Sequence, residues 1–261
     1  MSQKQKKILV NGCSHSRAFI PDNEHADPWP VLFTKRTGDK LVNLALDGKA
    51  NQQIVEETIR YLINFNDIDH VVIQLNEWKR LNFFRRDYTF EWEAKDIYSQ
   101  IPNLVDKQQQ GITHFVKIPA VDNNDLRITR GHGTSFKQDY LIGDMSHTHS
   151  IITIGTLVNC LSSLCQQRNI GLTIVNFHAL NECRGDPVWN TIPEEFFLIH
   201  NRTCGLYNHM LWMFETPDTF HFEYAGQQYL ADVVYDHYTS GQQLIVEKKS
   251  FDDTERVFDY R

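Results

Sequence analysis

The sequence predicts an α/β domain: a three-layer α/β/α arrangement built on a parallel sheet. Three observations carry that reading. Short β-branched apolar runs recur at 7–12, 40–46, 70–75 and 171–177, as strands buried on both faces do. Segments with apolar residues at helical spacing lie between and after them. Strand and helix patterns therefore alternate, and the crossovers this requires give parallel pairing with helices on both faces.

Taken in order, Lys7-Ile-Leu-Val-Asn-Gly12 is the first strand and Lys40-Leu-Val-Asn-Leu-Ala-Leu46 the second. A helix over 50–64 follows, with Ile54, Val55, Ile59, Leu62 and Ile63 as its apolar face. His70-Val-Val-Ile-Gln-Leu75 is the third strand. Residues 80–148 then break the rhythm. They are first aromatic and charged (Phe83, Phe84, Tyr88, Phe90, Trp92), then polar and glycine-containing. A connection that long reads as an insertion packed over the crevice after the third strand. A second helix, about 149–168, carries Ile154, Leu157, Val158, Leu161, Leu164 and Cys165. The fourth strand, Gly171–Phe177, comes next, then an irregular stretch over 179–217. A last helix, about 225–239, carries Leu230, Val233, Val234 and His237. Residues 1–240 thus form a single domain with the insertion 80–148, and 241–261 a charged tail or edge element.

With 261 residues the chain can bury one large core. A net charge of −7 argues against a general nucleic-acid surface, which needs a basic face. The five cysteines form no Cys-x-x-Cys pair and are odd in number, and the N-terminus is polar. This reads as a reducing, cytoplasmic setting with no signal peptide. No apolar run approaches the roughly 18 residues that span a bilayer, so no membrane partner is expected.

Chemistry concentrates at two places. Gly12-Cys13-Ser14 follows the first strand, where an open α/β sheet exposes side chains to a ligand crevice. Asp218-Thr-Phe-His221 stands just before the last helix. Together they supply serine, aspartate and histidine in that chain order. A neutral serine is a poor nucleophile and needs a base in reach. Histidine titrates near neutrality and suits that role, and a carboxylate can fix its tautomer and stabilise the imidazolium. The Gly-x-Ser-x-Gly elbow is absent, since Ser16 occupies its last position, and no Gly-rich phosphate loop follows the first strand.

These pieces resemble the SGNH (GDSL-type) hydrolase family. Gly12-Cys13-Ser14 matches its first block, Gly48 its second, Gln74-Leu75-Asn76-Glu77 its third and Asp218-x-x-His221 its last. Two residues depart from the pattern: Cys13 stands for the usual aspartate and Gln74 for a glycine. The resemblance implies a flavodoxin-like sheet, Ser14 as nucleophile, His221 as base and Asp218 as its orienting group. It also implies an oxyanion site from the Ser14 and Gly48 backbone N–H groups and the Asn76 amide. The implied function is a serine esterase that removes a small acyl group such as acetyl from a polar, possibly carbohydrate, carrier. No metal or organic cofactor is implied.

Plainer readings stand beside these. Ser14 can cap the following helix, Asp218 can do the same before the last helix, and His221 can be a hydrogen-bonded core histidine. Gly48 serves a turn in either case. Arg80 either binds an acidic substrate group or pairs with Glu77, and Arg17 is equally open. His147 and His149, with Asp144 nearby, would ligate a metal only with a third ligand from elsewhere. The aromatic cluster 83–92 either stacks on a ligand or packs the insertion onto its own domain. The alternative for the whole chain is a binding or assembly protein on a degenerate scaffold of the same kind.

Overall fold

The computed structural model describes residues 5–17, 27–46, 49–76, 82–85, 114–117, 145–177, 187–200, 205–211, 213–214 and 221–246. In chain order the elements are β1 (Lys7–Asn11), α1 (Ser14–Arg17), α2 (Trp29–Thr37), β2 (Lys40–Asn43), α3 (Asn51–Asn64) and β3 (His70–Leu75). There follow β4 (Asn82–Arg85), β5 (His114–Lys117), α4 (Met145–Gln167), β6 (Gly171–Asn176), α5 (Pro187–Asn190), α6 (Leu206–Leu211) and α7 (Tyr224–Ser240).

Four strands form one parallel sheet in the order β2-β1-β3-β6. Beyond β6 the sheet is prolonged by single parallel bridges, Ile174 to Phe197 and Ile199 to Leu244. The Leu198 N–H donates to Ile174 O at 2.9 Å and the Leu244 N–H to Leu198 O at 2.8 Å. The apolar run Phe197-Leu-Ile199, wholly buried, thus continues the sheet. Its order follows the open doubly wound pattern, which places a crevice beyond the carboxyl ends of the strands. Within the segment 80–148, β4 and β5 pair antiparallel.

Side-chain alternation along the strands separates two cores. Leu9, Val71, Ile73, Leu172 and Ile174 face one layer with Ile54, Val55 and Leu62 of α3 and Ile154, Val158 and Leu161 of α4. Ile8, Val10, Val72 and Val175 face the other, with Phe33 of α2, Leu206 and Met210 of α6 and Leu230 and Val234 of α7. Each fully buried side chain of this size stabilises the fold by about 1.5–3 kcal/mol. The sheet is therefore held from both faces, which explains its continuous apolar strands.

Several expectations are revised. The second strand ends at Asn43, because the Asn43 side chain turns to accept the Ala45 N–H at 2.9 Å. Ile63 does not belong to the apolar face of α3 and is 61% exposed. Each helical residue turns by about 100°, and the buried stripe runs through Ile54, Val55, Thr58, Tyr61 and Leu62 instead. Helix α2 lies in a stretch to which the sequence reading assigns no element. Its signals are nonetheless present: a proline in its first turn, Lys35 and Arg36 in its last, and Gly38 after it.

Candidate functional site at the carboxyl edge of the sheet

Every strand of the parallel sheet ends on or just before an asparagine: Asn11 closes β1, Asn43 closes β2, Asn76 follows β3 and Asn176 closes β6. Asn11, Asn76 and Asn176 are buried. A side-chain amide both donates and accepts, so it can satisfy the backbone groups that a strand end leaves without ladder partners. These amides organise the loops that carry the predicted site.

The nucleophile turn is the tightest of these loops. Asn11 Oδ1 accepts the Gly12 N–H at 3.0 Å, and the Ser16 N–H bonds back to Cys13 O at 2.9 Å. This starts α1 at Ser14, which is partly buried. Gly12 has no room for a side chain. A Cβ there would stand 2.7 Å from Ser16 Oγ and 2.9 Å from Gln74 Cβ. Behind the turn, Asn43 Nδ2 donates to Ser16 O at 2.9 Å. Cys13 is buried, and its Sγ accepts from Gln74 Nε2 at 3.5 Å.

His221, from the loop before α7, reaches the same turn. Its ring lies 4.6 Å from that of His15, the residue next to Ser14. His15 is itself packed among Phe177 (4.5 Å), Tyr207 (5.7 Å) and Phe222 (6.3 Å). Phe177 just past β6, Tyr207 of α6 and Phe222 before α7 thus surround His15, against which the His221 ring packs. The sequence reading did not single out His15, and only the packing reveals its part.

Asn76 arrives from β3 and is 1% exposed. Asn51 grips its backbone from both sides: the Asn76 N–H donates to Asn51 Oδ1 at 2.6 Å, and Asn51 Nδ2 donates to Asn76 O at 2.9 Å. Its own amide donates to Lys49 O at 3.2 Å and accepts from Gln74 Nε2 at 3.2 Å. One hydrogen of Asn76 Nδ2 is therefore used, and the other has no partner among the described residues.

Lys49 is buried beneath this edge. Its ammonium donates to Asn11 Oδ1 at 3.1 Å, to Leu44 O and to Glu57 Oε2. Asn11 Nδ2 in turn donates to Ile54 O at 2.9 Å and Thr58 Oγ1 at 3.1 Å. A buried charge is tolerated only when paired and hydrogen-bonded in this way. The loop after β2 is thereby pinned on both flanks, since the Leu46 N–H also donates to Gly12 O at 3.2 Å.

Of the predicted site residues, the fold gathers Ser14, His221 and Asn76 at one edge. Gly48, Arg80 and Asp218 lie outside the described residues, as do Glu77 and the aromatic cluster apart from the backbone of β4. His147 and His149 fall in the first turns of α4. Among the described residues no group of three or more His, Cys, Asp or Glu side chains could hold a metal ion. No helix among them is long and apolar enough to cross a membrane.

The opposite edge of the sheet holds a second polar cluster. His70, opening β3, shares Thr173 of β6 with His237 of α7: His70 Nε2 lies 2.9 Å and His237 Nδ1 3.1 Å from the hydroxyl. His237 Nε2 lies 3.0 Å from Glu195 O. Burial pushes the His70 imidazole down to about 3, with His237 and Lys6 adding repulsion. His237 is also lowered by burial, against its hydrogen bond to the Glu195 carbonyl, which acts in the other direction. Tyr238 stands edge-on to His70 at 4.8 Å and donates to Asp39 Oδ2 at 2.9 Å.

No family model and no curated protein sequence matches the chain. Among solved structures it is similar to TesA, at 11% identity and a TM-score of 0.46, over 91% of this chain and 100% of that one. It is similar to the psychrotrophic esterase EstA from Pseudoalteromonas sp., at 13% identity and 0.42, over 89% and 96%. The acetyl xylan esterase AlAXEase gives 13% and 0.44, over 88% and 98%. The chain's own strand order and register define its fold, and solved structures similar to it include esterases and a GDSL-like lipase.

Proposed function

We propose that this chain is a serine esterase of the SGNH kind that removes a small acyl group, such as acetyl, from a polar and possibly carbohydrate carrier. The observation that supports it most is the packing of His221 against His15, beside Ser14. An imidazole more than two hundred residues away in sequence packs on the residue next to a serine on a constrained turn.

In this reading Ser14 Oγ attacks the ester carbonyl while His221 takes its proton. The tetrahedral intermediate collapses as His221 returns that proton to the leaving alcohol oxygen, which leaves an acyl-serine. Water, deprotonated by His221, then attacks the acyl carbon. The bond from that carbon to Ser14 Oγ breaks as His221 returns the proton to Oγ, and the acid departs. Asp218 orients His221. The Ser14 and Gly48 N–H groups and the second hydrogen of Asn76 Nδ2, which has no partner among the described residues, hold the oxyanion, and Arg80 receives an acidic group of the substrate. No metal or organic cofactor enters the sequence of steps.

The test is labelling by a fluorophosphonate probe, wild type against Ser14→Ala, with a panel of acetyl esters. Labelling and turnover are expected in the wild type and lost together in a folded Ser14→Ala. Folded wild type that neither labels nor turns over any ester would overturn the proposal. A second reading, a binding or assembly protein, would then take its place; the observation that favours it is Gln74 filling the space behind the nucleophile turn.

A further inference from the structure

A buried chain of hydrogen bonds runs from Trp29 to Lys49 beneath the carboxyl edge, and its direction is fixed at both ends. The Trp29 indole N–H donates to Ser16 Oγ at 3.2 Å. The Ser16 hydroxyl donates to Gln74 Oε1. Gln74 Nε2 donates to Asn76 Oδ1 at 3.2 Å, and Asn76 Nδ2 donates to Lys49 O at 3.2 Å. An indole nitrogen can only donate and a carbonyl can only accept. Ser16 therefore receives from Trp29 and passes its own proton onward. Gln74 must show its oxygen to Ser16 and its nitrogen to Asn76, and Asn76 must then show its oxygen to Gln74. The nitrogen of Asn76 is left on the far side. Trp29, Ser16, Gln74 and Asn76 are all at most 1% exposed, so no solvent competes for these bonds.

We propose that Gln74 is a positioning residue: it locks the Asn76 amide with nitrogen, not oxygen, available to the reacting carbonyl, and couples that orientation to the Ser14 turn. This rests on the esterase reading above. A flipped Asn76 would present a carbonyl oxygen to a developing oxyanion and repel it. Gln74 opposes the flip by donating to Oδ1, as Lys49 O does by accepting from Nδ2. The second N–H of Gln74 reaches Cys13 Sγ and its oxygen takes Ser16. The residues that depart from the family pattern, Cys13 and Gln74, thus touch each other. The side chain that replaces a glycine supplies a link between the oxyanion donor and the nucleophile turn.

The experiment is a double-mutant cycle on the full chain, read by the second-order rate of fluorophosphonate labelling and by kcat and KM on an acetyl ester. Gln74→Leu keeps the volume and removes both bonds. It is expected to slow labelling and lower kcat roughly 10- to 100-fold, as misplacement of a reacting group does, with KM unchanged. In an Asn76→Ala background the same change is expected to cost nothing further, because Gln74 acts through Asn76. Additive losses would overturn the proposal. Trp29→Phe, which removes only the donor that sets the direction, serves where Gln74→Leu does not fold, and its smaller loss must vanish in the same background. A third readout is independent of activity. The Asn76 side-chain amide ¹H–¹⁵N signal, assigned by its disappearance in Asn76→Asp, should shift in Gln74→Leu, and an unmoved signal would overturn the proposal. A wild type that does not label while that signal moves would overturn the esterase reading and leave the amide lock in place.

Discussion

The two edges of the sheet are built from similar polar groups put to opposite use. At the carboxyl edge, asparagines, Gln74 and Lys49 form a buried network beside the Ser14 turn, where His221 packs on His15, and one hydrogen of Asn76 has no partner among the described residues. At the amino edge, His70, Thr173 and His237 bond to one another and bridge β3, β6 and α7, with Tyr238 edge-on to His70. If the proposed function holds, the difference separates a site from a structural cluster: whether satisfying the buried groups leaves reactive ones available.

Substitutions that break hydrogen bonds at each edge should separate the two roles most widely. Asn76→Ala is expected to slow fluorophosphonate labelling and acetyl-ester turnover by about 10²–10³-fold, the loss typical of one oxyanion donor. Thr173→Val, which breaks the bridge at the other edge, should leave the labelling rate at the wild-type value while lowering the melting temperature. Equal losses from both variants would erase the distinction between the edges.

A pair of glycines sharpens the comparison. A Cβ at Gly12 would press on Ser16 Oγ and Gln74, and one at Gly171 would stand 2.1 Å from His70 Nδ1. Both Gly12→Ala and Gly171→Ala should cost about 1–3 kcal/mol in chemical denaturation, as overpacking does. Only Gly12→Ala should also reduce labelling per folded molecule, because its strain falls on the nucleophile turn.

A pH dependence is expected at the amino edge. The folded protein holds His70 near 3 and His237 below the usual histidine value of 6.5. The unfolded chain takes up protons on both as pH falls through about 6.5, so the unfolded state binds more protons and stability rises with pH. The stability these neutral histidines contribute is complete above about pH 6.5 and drains as pH drops toward 3. The slope is at most about 1.4 kcal/mol per pH unit for each. Urea midpoints at pH 7 and pH 4.5 should differ less in His70→Phe than in the wild type. An undiminished difference would mean that His70 is not part of the acid response.

The fold was legible where packing is a local pattern. The β-branched runs at 7–11, 70–75 and 171–176 mark strands covered on both faces, and the helical stripe of α3 follows from its apolar spacing. The stripe misled at Ile63, because apolar character does not say which side of a helix the core lies on. Helix α2 passed unnoticed because it is nine residues long and offers too few turns for a period. At the candidate site, Gly12-Cys13-Ser14 and Asp218-x-x-His221 stand out as residue types at known spacing. His15 and Trp29 did not, since their significance is a contact with partners remote in sequence.

By itself the sequence determined the alternation of strand and helix, the parallel sheet that follows from it, and the placing of Ser14 and Asn76 just past strand ends. Those properties depend on neighbours within a few residues, so they are written locally. Only the tertiary structure decided that His221 packs on His15, that Gln74 stands between the nucleophile turn and Asn76, and that His70 and His237 share one hydroxyl. Each joins elements distant along the chain, and a buried polar group finds its partner by the geometry of closure, for which the linear order of residues holds no period.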